Sequence, residues 1–150
     1  MHTQHYTRLG IMIVLSFISM YILMYAMVNS FANVYSSVNQ FYMAGLMTAP
    51  MIVLEVVLMG MMYTNKLWNG LIIAAGILLG ILCFVFIRQQ IGVGDTQFLR
   101  SMIPHHAGAV LMCGKASIQD PEIQKLCQGI ISGQQAEINQ MKAILDRLGK

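Results

Sequence analysis

Three long apolar runs constrain the fold of this chain more than any other feature. They are Leu9–Val28, Met43–Tyr63 and Leu71–Ile87. A helix needs about 20 mostly apolar residues to cross a bilayer, with a range of about 17–25. Each run therefore predicts one transmembrane helix. The composition agrees, because only 10% of the residues are charged, whereas soluble domains carry roughly 25%.

The second run contains residues that contact with lipid alone does not explain. Pro50 is expected to kink the helix, and Glu55 places a carboxylate inside a span. An acidic residue in a span costs about 2.5–3.5 kcal/mol and normally faces protein or water. Met51 and Met59 flank Glu55. These three side chains are a candidate intramembrane functional group, either as a metal path or, for Glu55, as a hydrogen bond that holds helices together.

Basic residues predict how the chain is oriented in the membrane. Arg8 precedes the first run, and Lys66 lies between the second and the third, whereas the connection Asn29–Tyr42 has no Lys or Arg. The positive-inside rule then places Arg8 and Lys66 in the cytoplasm. After three spans, the C-terminal region lies on the other side. We expect a multi-pass protein of the bacterial inner (plasma) membrane with a periplasmic C-terminal region.

The remainder of the chain is more polar, so we divide it into a transmembrane region at 1–90 and a second region at 91–150. A first amphipathic helix is predicted from about Asp95 to about Ile118. Pro104 lies inside it and cannot donate a backbone hydrogen bond. This proline predicts either a kink or a fresh helix start.

A second amphipathic helix has a stronger start signal. Asp120 is suited to the N-cap, Pro121 to the first helical position, and Gly149 to the end of the helix. A turn of about two residues makes the two helices an antiparallel hairpin. Such a hairpin cannot enclose its own apolar stripe. The predicted fold is therefore all-α, with three transmembrane helices followed by a helical hairpin. Either a second copy completes this hairpin into a four-helix bundle, or the hairpin docks onto another partner.

Imidazole and thioether groups are concentrated in this hairpin. Met102 and His106 are four residues apart and share one helix face, and His105 and Met112 share the neighbouring face. Met141 of the second helix is expected within a turn of Met102. Thioether and imidazole donors together suit a soft ion, so Cu(I) fits best and Ag(I) is its analogue. These five residues are the predicted metal ligands, and the alternative is that they fill the hairpin without a metal.

Folding the second helix back about Asp120 predicts which residues face the histidines. Residues whose numbers sum to about 240 then lie opposite each other, so His105 and His106 face Gln134 and its neighbour. Glu137 is expected one turn away. Gln134 and Glu137 are therefore candidate additional ligands.

The three cysteines form no CxxC motif and no disulfide framework. Cys113 and Cys127 also sum to 240 and are expected to face each other. Buried thiols are the first interpretation, because packed helices usually hold Cα atoms farther apart than the roughly 4.4–6.8 Å of a disulfide. A disulfide and additional copper ligands are the alternatives. Cys83 is expected to be a small apolar residue in a span.

The C-terminal region also resembles a known family. The segments "FLRSMIPHHAGAVLM" and "DPEIQKLCQGIISGQQAEINQM" are similar to the domain of unknown function 305 (DUF305) family, which is ferritin-like and has copper-binding members. The resemblance covers about Phe98 to Leu148. It implies a helical hairpin and copper binding outside the cytoplasm. The positions that match the family pattern are Met102, His105, His106, Ala109, Met112, Pro121, Glu122, Gln134, Glu137, Ile138 and Met141.

These features together predict a membrane-anchored protein that binds Cu(I) or Ag(I) and sequesters it or hands it over. The expected partners are the lipid bilayer, further copies of the chain and a copper-transfer protein. We expect no organic cofactor, no nucleic acid, since there is no run of Lys or Arg, and no enzymatic role, since the chain lacks the Glu-x-x-His motif of di-metal bundles. The alternative is a structural or assembly protein whose helical tail binds a partner.

Overall fold

The computed structural model describes the backbone of residues 2–149 and the side chains of residues 4–149. Within this part of the chain there are five α-helices, two short 3₁₀ turns and no strand, so the all-α prediction is confirmed. The helices are α1 (His2–Leu23), α2 (Val38–Leu58), α3 (Lys66–Gln89), α4 (Asp95–Lys115) and α5 (Pro121–Arg147), and the 3₁₀ turns are Met24–Met27 and Phe31–Asn33.

Three helices are long and apolar enough to span a membrane, namely Gln4–Met27, Val38–Leu58 and Lys66–Gln89. Their bounds differ from the apolar runs. The second helix ends at Leu58 instead of Tyr63, because the residues that follow form a turn. The third begins earlier than predicted because the Asn65 side chain accepts hydrogen bonds from two backbone N–H groups of its first turn.

The chain divides into two compact units. The first unit contains α1, α3 and all of α2 from Asn39 onward, and it ends at Ile91. The second unit contains α4 and α5 together with the connection Met24–Val38. The C-terminal unit therefore includes a segment that the sequence division at residue 90 had assigned to the transmembrane region.

The first unit is held together by apolar contacts and close helix packing. Leu9, Val56 and Tyr63 form a buried cluster with residues from α1 and α3 around it. Gly45 allows the closest approach. A Cβ atom placed there would lie 2.8 Å from the Cys83 Sγ atom, so only glycine lets α2 and α3 pack at this distance.

The second unit has its own core between α4 and α5. Ile103 and Ile138 are fully buried there. Truncating a buried Ile to Ala typically costs about 2–5 kcal/mol, so these contacts are a main source of stability for the unit. The buried residues of the core are Leu99, Ile103, Ala107, Ile138, Met141 and Leu145, and Val28 and Tyr35 of the connection pack against it.

Local signals explain where the helices of the second unit begin. The Asp120 side chain accepts hydrogen bonds from the backbone N–H groups of Glu122 and Ile123, as its predicted N-cap role requires. Gly94 occupies the N-cap of α4, and Asp95 is its first helical residue. Pro104 lies inside α4 without ending it.

The connection Met24–Val38 packs against α4. A Cβ atom placed on Gly108 would lie 3.6 Å from the backbone oxygen of Met27. Ala107 and Gly108 are both buried. These small residues after the histidines let the connection approach α4 closely.

Candidate metal site

The helices α4 and α5 run antiparallel against each other. Cys113 contacts Cys127 near the turn, and His106 contacts Glu137 farther from it. The residue numbers sum to 240 for the first pair and to 243 for the second. Side chains lean towards the N-terminus of their own helix. When long side chains of two antiparallel helices meet, this lean raises the sum of their residue numbers. Glu137, which was predicted one turn away, therefore lies directly opposite His106.

His106 is a buried candidate ligand with a contact at each ring nitrogen. The residue is 8% exposed. Its Nδ1 atom lies 3.0 Å from the backbone oxygen of Met102, and its Nε2 atom lies 2.7 Å from Glu137 Oε2. Because a carbonyl oxygen only accepts, Nδ1–H is the donor to Met102. The ring is thereby oriented with Nε2 towards α5.

The contact between His106 and Glu137 requires a proton. Two lone pairs 2.7 Å apart would repel each other, so either an Nε2–H donates to the carboxylate or a carboxyl O–H donates to Nε2. A cation that replaces this proton would find a nitrogen and an oxygen donor on opposite helices. The Glu137 side chain is 57% exposed, so solvent reaches this position.

His105 does not join His106 in the interior. It is exposed, and its ring centroid lies 6.1 Å from that of His106. The two adjacent rings point in different directions because successive helix residues are about 100° apart. The structure therefore places one predicted histidine at the contact between the helices and the other on the outer flank of α4.

The predicted thioether ligands are also dispersed. Met102 packs against the buried cluster that contains Met141. Met112 is 52% exposed and lies seven residues from His105, about 10 Å along the helix axis. Met102 and Met141 therefore meet in one apolar cluster, whereas Met112 is exposed elsewhere on α4.

The predicted glutamine ligand lies on the same helix as Glu137. The Oε1 atom of Gln134 is buried and has no hydrogen-bond partner within the described residues. Its neighbour Gln135 instead donates to Asn139. Gln134 thus keeps a free acceptor near the candidate site.

Cys113 and Cys127 form a disulfide with a Cα–Cα distance of 5.1 Å. The interpretation of these residues as buried thiols is wrong. The helices converge towards their turn, so the general separation of packed helices does not apply there. In this state neither sulfur is a thiolate, and the two residues are removed from the ligand set. Cys83 is a buried free cysteine in α3, as expected.

Glu55 belongs to a hydrogen-bonded group in the first unit. Its Oε1 atom accepts a hydrogen bond of 3.3 Å from the Tyr63 hydroxyl. The Asn69 side-chain amide donates to the Tyr63 backbone oxygen over 2.7 Å, and the Tyr6 hydroxyl lies 2.7 Å from Asn69 Oδ1. This group joins α1, α2 and α3 at one end of the unit. It supports the interpretation of Glu55 as a residue that holds the helices together.

The two methionines beside Glu55 have different positions. Met51 lies inside α2 and is half-buried, whereas Met59 follows the end of the helix and is exposed. A metal path along this helix stays a prediction from the sequence pattern.

The metal-ligand inventory of one copy is small. Among residues whose side chains are described, no group of three or more His, Cys, Asp or Glu side chains converges. Among these side chains, His106 and Glu137 form a hydrogen bond between α4 and α5. Sequence reasoning missed their direct contact, which the lean of side chains on antiparallel helices could have indicated.

The family described as "Domain of unknown function (DUF305)" matches residues 86–148. The chain is also similar to "Uncharacterized protein L153" of Acanthamoeba polyphaga mimivirus, with 38% identity over 140 residues that cover 91% of this chain and 90% of that protein. This similarity includes both the apolar helices and the α4–α5 pair. No solved structure matches the chain.

Proposed function

We propose, from the match of residues 86–148 to the DUF305 family, that this chain is a membrane-anchored protein that binds Cu(I), with Ag(I) as an analogue, through α4 and α5. The protein would sequester the ion or hand it to a copper-transfer protein. The orientation of His106 is the observation that carries this proposal. A hydrogen bond from Nδ1 to a backbone carbonyl is the usual way in which proteins hold a metal-binding imidazole.

The donors near His106 favour a soft monovalent ion. Met102 shares the helix face of His106, and it packs against the core cluster that contains Met141. Thioethers and imidazoles suit Cu(I), whereas zinc sites use thiolate, imidazole or carboxylate ligands. His106 Nε2 would be the nitrogen ligand, and Met102 and Met141 would supply sulfur. Glu137 would act as a neighbouring charge, and His105 and Met112 would be entry donors on the surface.

The site would lie outside the cytoplasm. Three spans put the N-terminus and α4–α5 on opposite sides of a bilayer, and Arg8 and Lys66 favour a cytoplasmic N-terminus. The copper site would then lie at the periplasmic face of a bacterial inner membrane. The disulfide between Cys113 and Cys127 supports this location, because disulfides persist in oxidising compartments.

A second copy of the chain would complete the site. The two helices of the ferritin-like half-bundle leave apolar side chains exposed, including Leu126 at 62%. Pairing two copies would bury such residues. It would also bring further imidazole and thioether donors to an ion that one chain ligates incompletely.

Competition for Cu(I) tests the proposal. The detergent-solubilised full-length chain is titrated against a chromogenic Cu(I) chelator with ascorbate as reductant, which leaves the disulfide closed. We expect His106→Ala to weaken binding at least about tenfold, and the matched variant His105→Ala to weaken it less. Equal affinity of wild type and His106→Ala, or no binding by wild type, would reject the copper role.

The exposed apolar residues near the turn also support a second candidate function. Ile123 and Leu126 are solvent-exposed on α5. A structural or assembly protein would use this face to bind a partner without any metal. In that case the copper titration would show no binding, while substitution of Leu126 by Glu would still abolish association with the partner.

A further inference from the structure

The outer face of α5 carries an open groove of 530 Å³, lined by residues of α5 alone. Gly129 and Gly133 form its floor, and a Cβ atom placed on either would meet nothing within 4 Å. Exposed Leu126 lies on its rim. An apolar rim around two glycines four residues apart admits the close approach of another helix.

The charges of this groove are complementary to the same groove in a second chain. Lys125, Gly129, Gly133 and Glu137 follow one another at intervals of four residues along one face. When two copies of α5 lie antiparallel about an axis near Ile131, Gly129 meets Gly133 and Lys125 meets Glu137. Within one helix Lys125 and Glu137 are about 18 Å apart along the axis, so they cannot pair with each other there.

We infer that the α5 groove is the two-fold interface between two copies of this chain, in which the partner's Lys125 binds Glu137. An isologous interface needs a surface that is complementary to itself, and the reversed order of Lys, Gly, Gly and Glu provides it.

The interface has a consequence for the metal site, and this step rests on the proposed function. Glu137 contacts His106 in the single copy. When the partner's Lys125 binds Glu137, it draws the carboxylate away from His106 Nε2. That nitrogen then becomes free to bind Cu(I). Dimerisation and Cu(I) binding therefore favour each other, with the same coupling in both directions.

A charge exchange tests the interface. The mass of the full-length chain in detergent is measured without copper over a range of concentrations, by light scattering corrected for bound detergent. We expect Lys125→Glu and Glu137→Lys each to weaken the dimer about tenfold, because one substitution reverses two pairs in a two-fold assembly. The double variant Lys125→Glu with Glu137→Lys should dimerise like wild type. A monomeric wild type, or a double variant as weak as the single ones, would overturn the inference.

A groove-filling substitution gives a second, independent test. Gly133→Leu should weaken the dimer, whereas Gly114→Leu, at an equally open glycine of α4 outside the groove, should not. Equal dimerisation of these two variants would also overturn the inference.

Copper titration of the same samples separates the two proposals. A dimer that binds no Cu(I) supports the interface and rejects the metal role. A chain that binds Cu(I) but stays monomeric at all concentrations supports the metal role and rejects the interface.

Discussion

The Nε2 atom of His106 lies 2.7 Å from the Oε2 atom of Glu137, and this contact joins α4 to α5 away from their turn. Replacing Glu137 by Gln should lower the free energy of unfolding by about 1 kcal/mol, because a charge-assisted contact is lost but the carboxylate is partly exposed. Thermal unfolding of the full-length chain, followed by circular dichroism, measures the change. Asp146→Asn on the exposed last turn of α5 is the control and should not destabilise the protein, because a carboxylate near a helix C-terminus has no favourable interaction with the helix dipole. Equal melting of both variants would contradict the assigned contact.

The disulfide between Cys113 and Cys127 should stabilise the second unit. The two cysteines are 14 residues apart, and closing a loop of this size is worth about 3 kcal/mol in the chain-entropy account. Adding a thiol reductant should therefore lower the melting temperature of wild type. The variant Cys113→Ser with Cys127→Ser should melt at the lower temperature with or without reductant. A wild-type melting curve that reductant leaves unchanged would argue against the bridge.

The contact between Gly45 and Cys83 predicts a coupled pair of substitutions. Gly45→Ala places a Cβ atom 2.8 Å from the Cys83 Sγ atom, and overpacking of this kind costs about 1–3 kcal/mol. Cys83→Ala removes the sulfur and should restore much of this loss in the double variant. Thermal stability of the four proteins of the cycle gives the coupling energy. Purely additive effects would show that the two residues are not in contact.

The tyrosine that contacts Glu55 should titrate abnormally. Burial raises the pKa of Tyr63, and the Glu55 carboxylate raises the pKa further through its charge and its hydrogen bond. The folded state therefore favours the neutral phenol. This contribution to stability is complete below the ordinary tyrosine pKa of about 10 and is lost as the pH rises through the raised pKa.

Phenolate absorbance measures this effect. We expect one late-titrating tyrosine in wild type that is missing in Tyr63→Phe. In Glu55→Gln the same tyrosine should ionise at a lower pH than in wild type, because the negative charge is gone. An unchanged titration in Glu55→Gln would contradict the assigned role of the carboxylate.

The amino-acid sequence predicts the helices better than the contacts between them. Apolar runs of span length predict the three membrane helices, and Asp120 predicts the start of α5. The structure contains all of these helices, and Asp120 is the N-cap of α5. The ends of the apolar runs were misplaced because methionines after Leu58 continue the apolar pattern in a turn. Asn65, a polar residue outside the runs, starts α3 instead.

The candidate site was predicted in composition but not in geometry. Periodicity placed His105 and His106 on different faces, and they are exposed and buried respectively. Counting residues from the turn did not place Glu137 opposite His106, since this needs the direction of the side chains as well as the backbone register. The disulfide depends on how far two helices converge near one turn, which no local pattern in the sequence specifies.

X-ray absorption at the copper edge of the Cu(I)-loaded full-length chain reports which atoms bind the ion. We expect a site with both nitrogen and sulfur ligands, in which His106→Ala removes the nitrogen contribution and His105→Ala leaves it in place. A spectrum with sulfur ligands alone, or one that His106→Ala leaves unchanged, would contradict binding at His106.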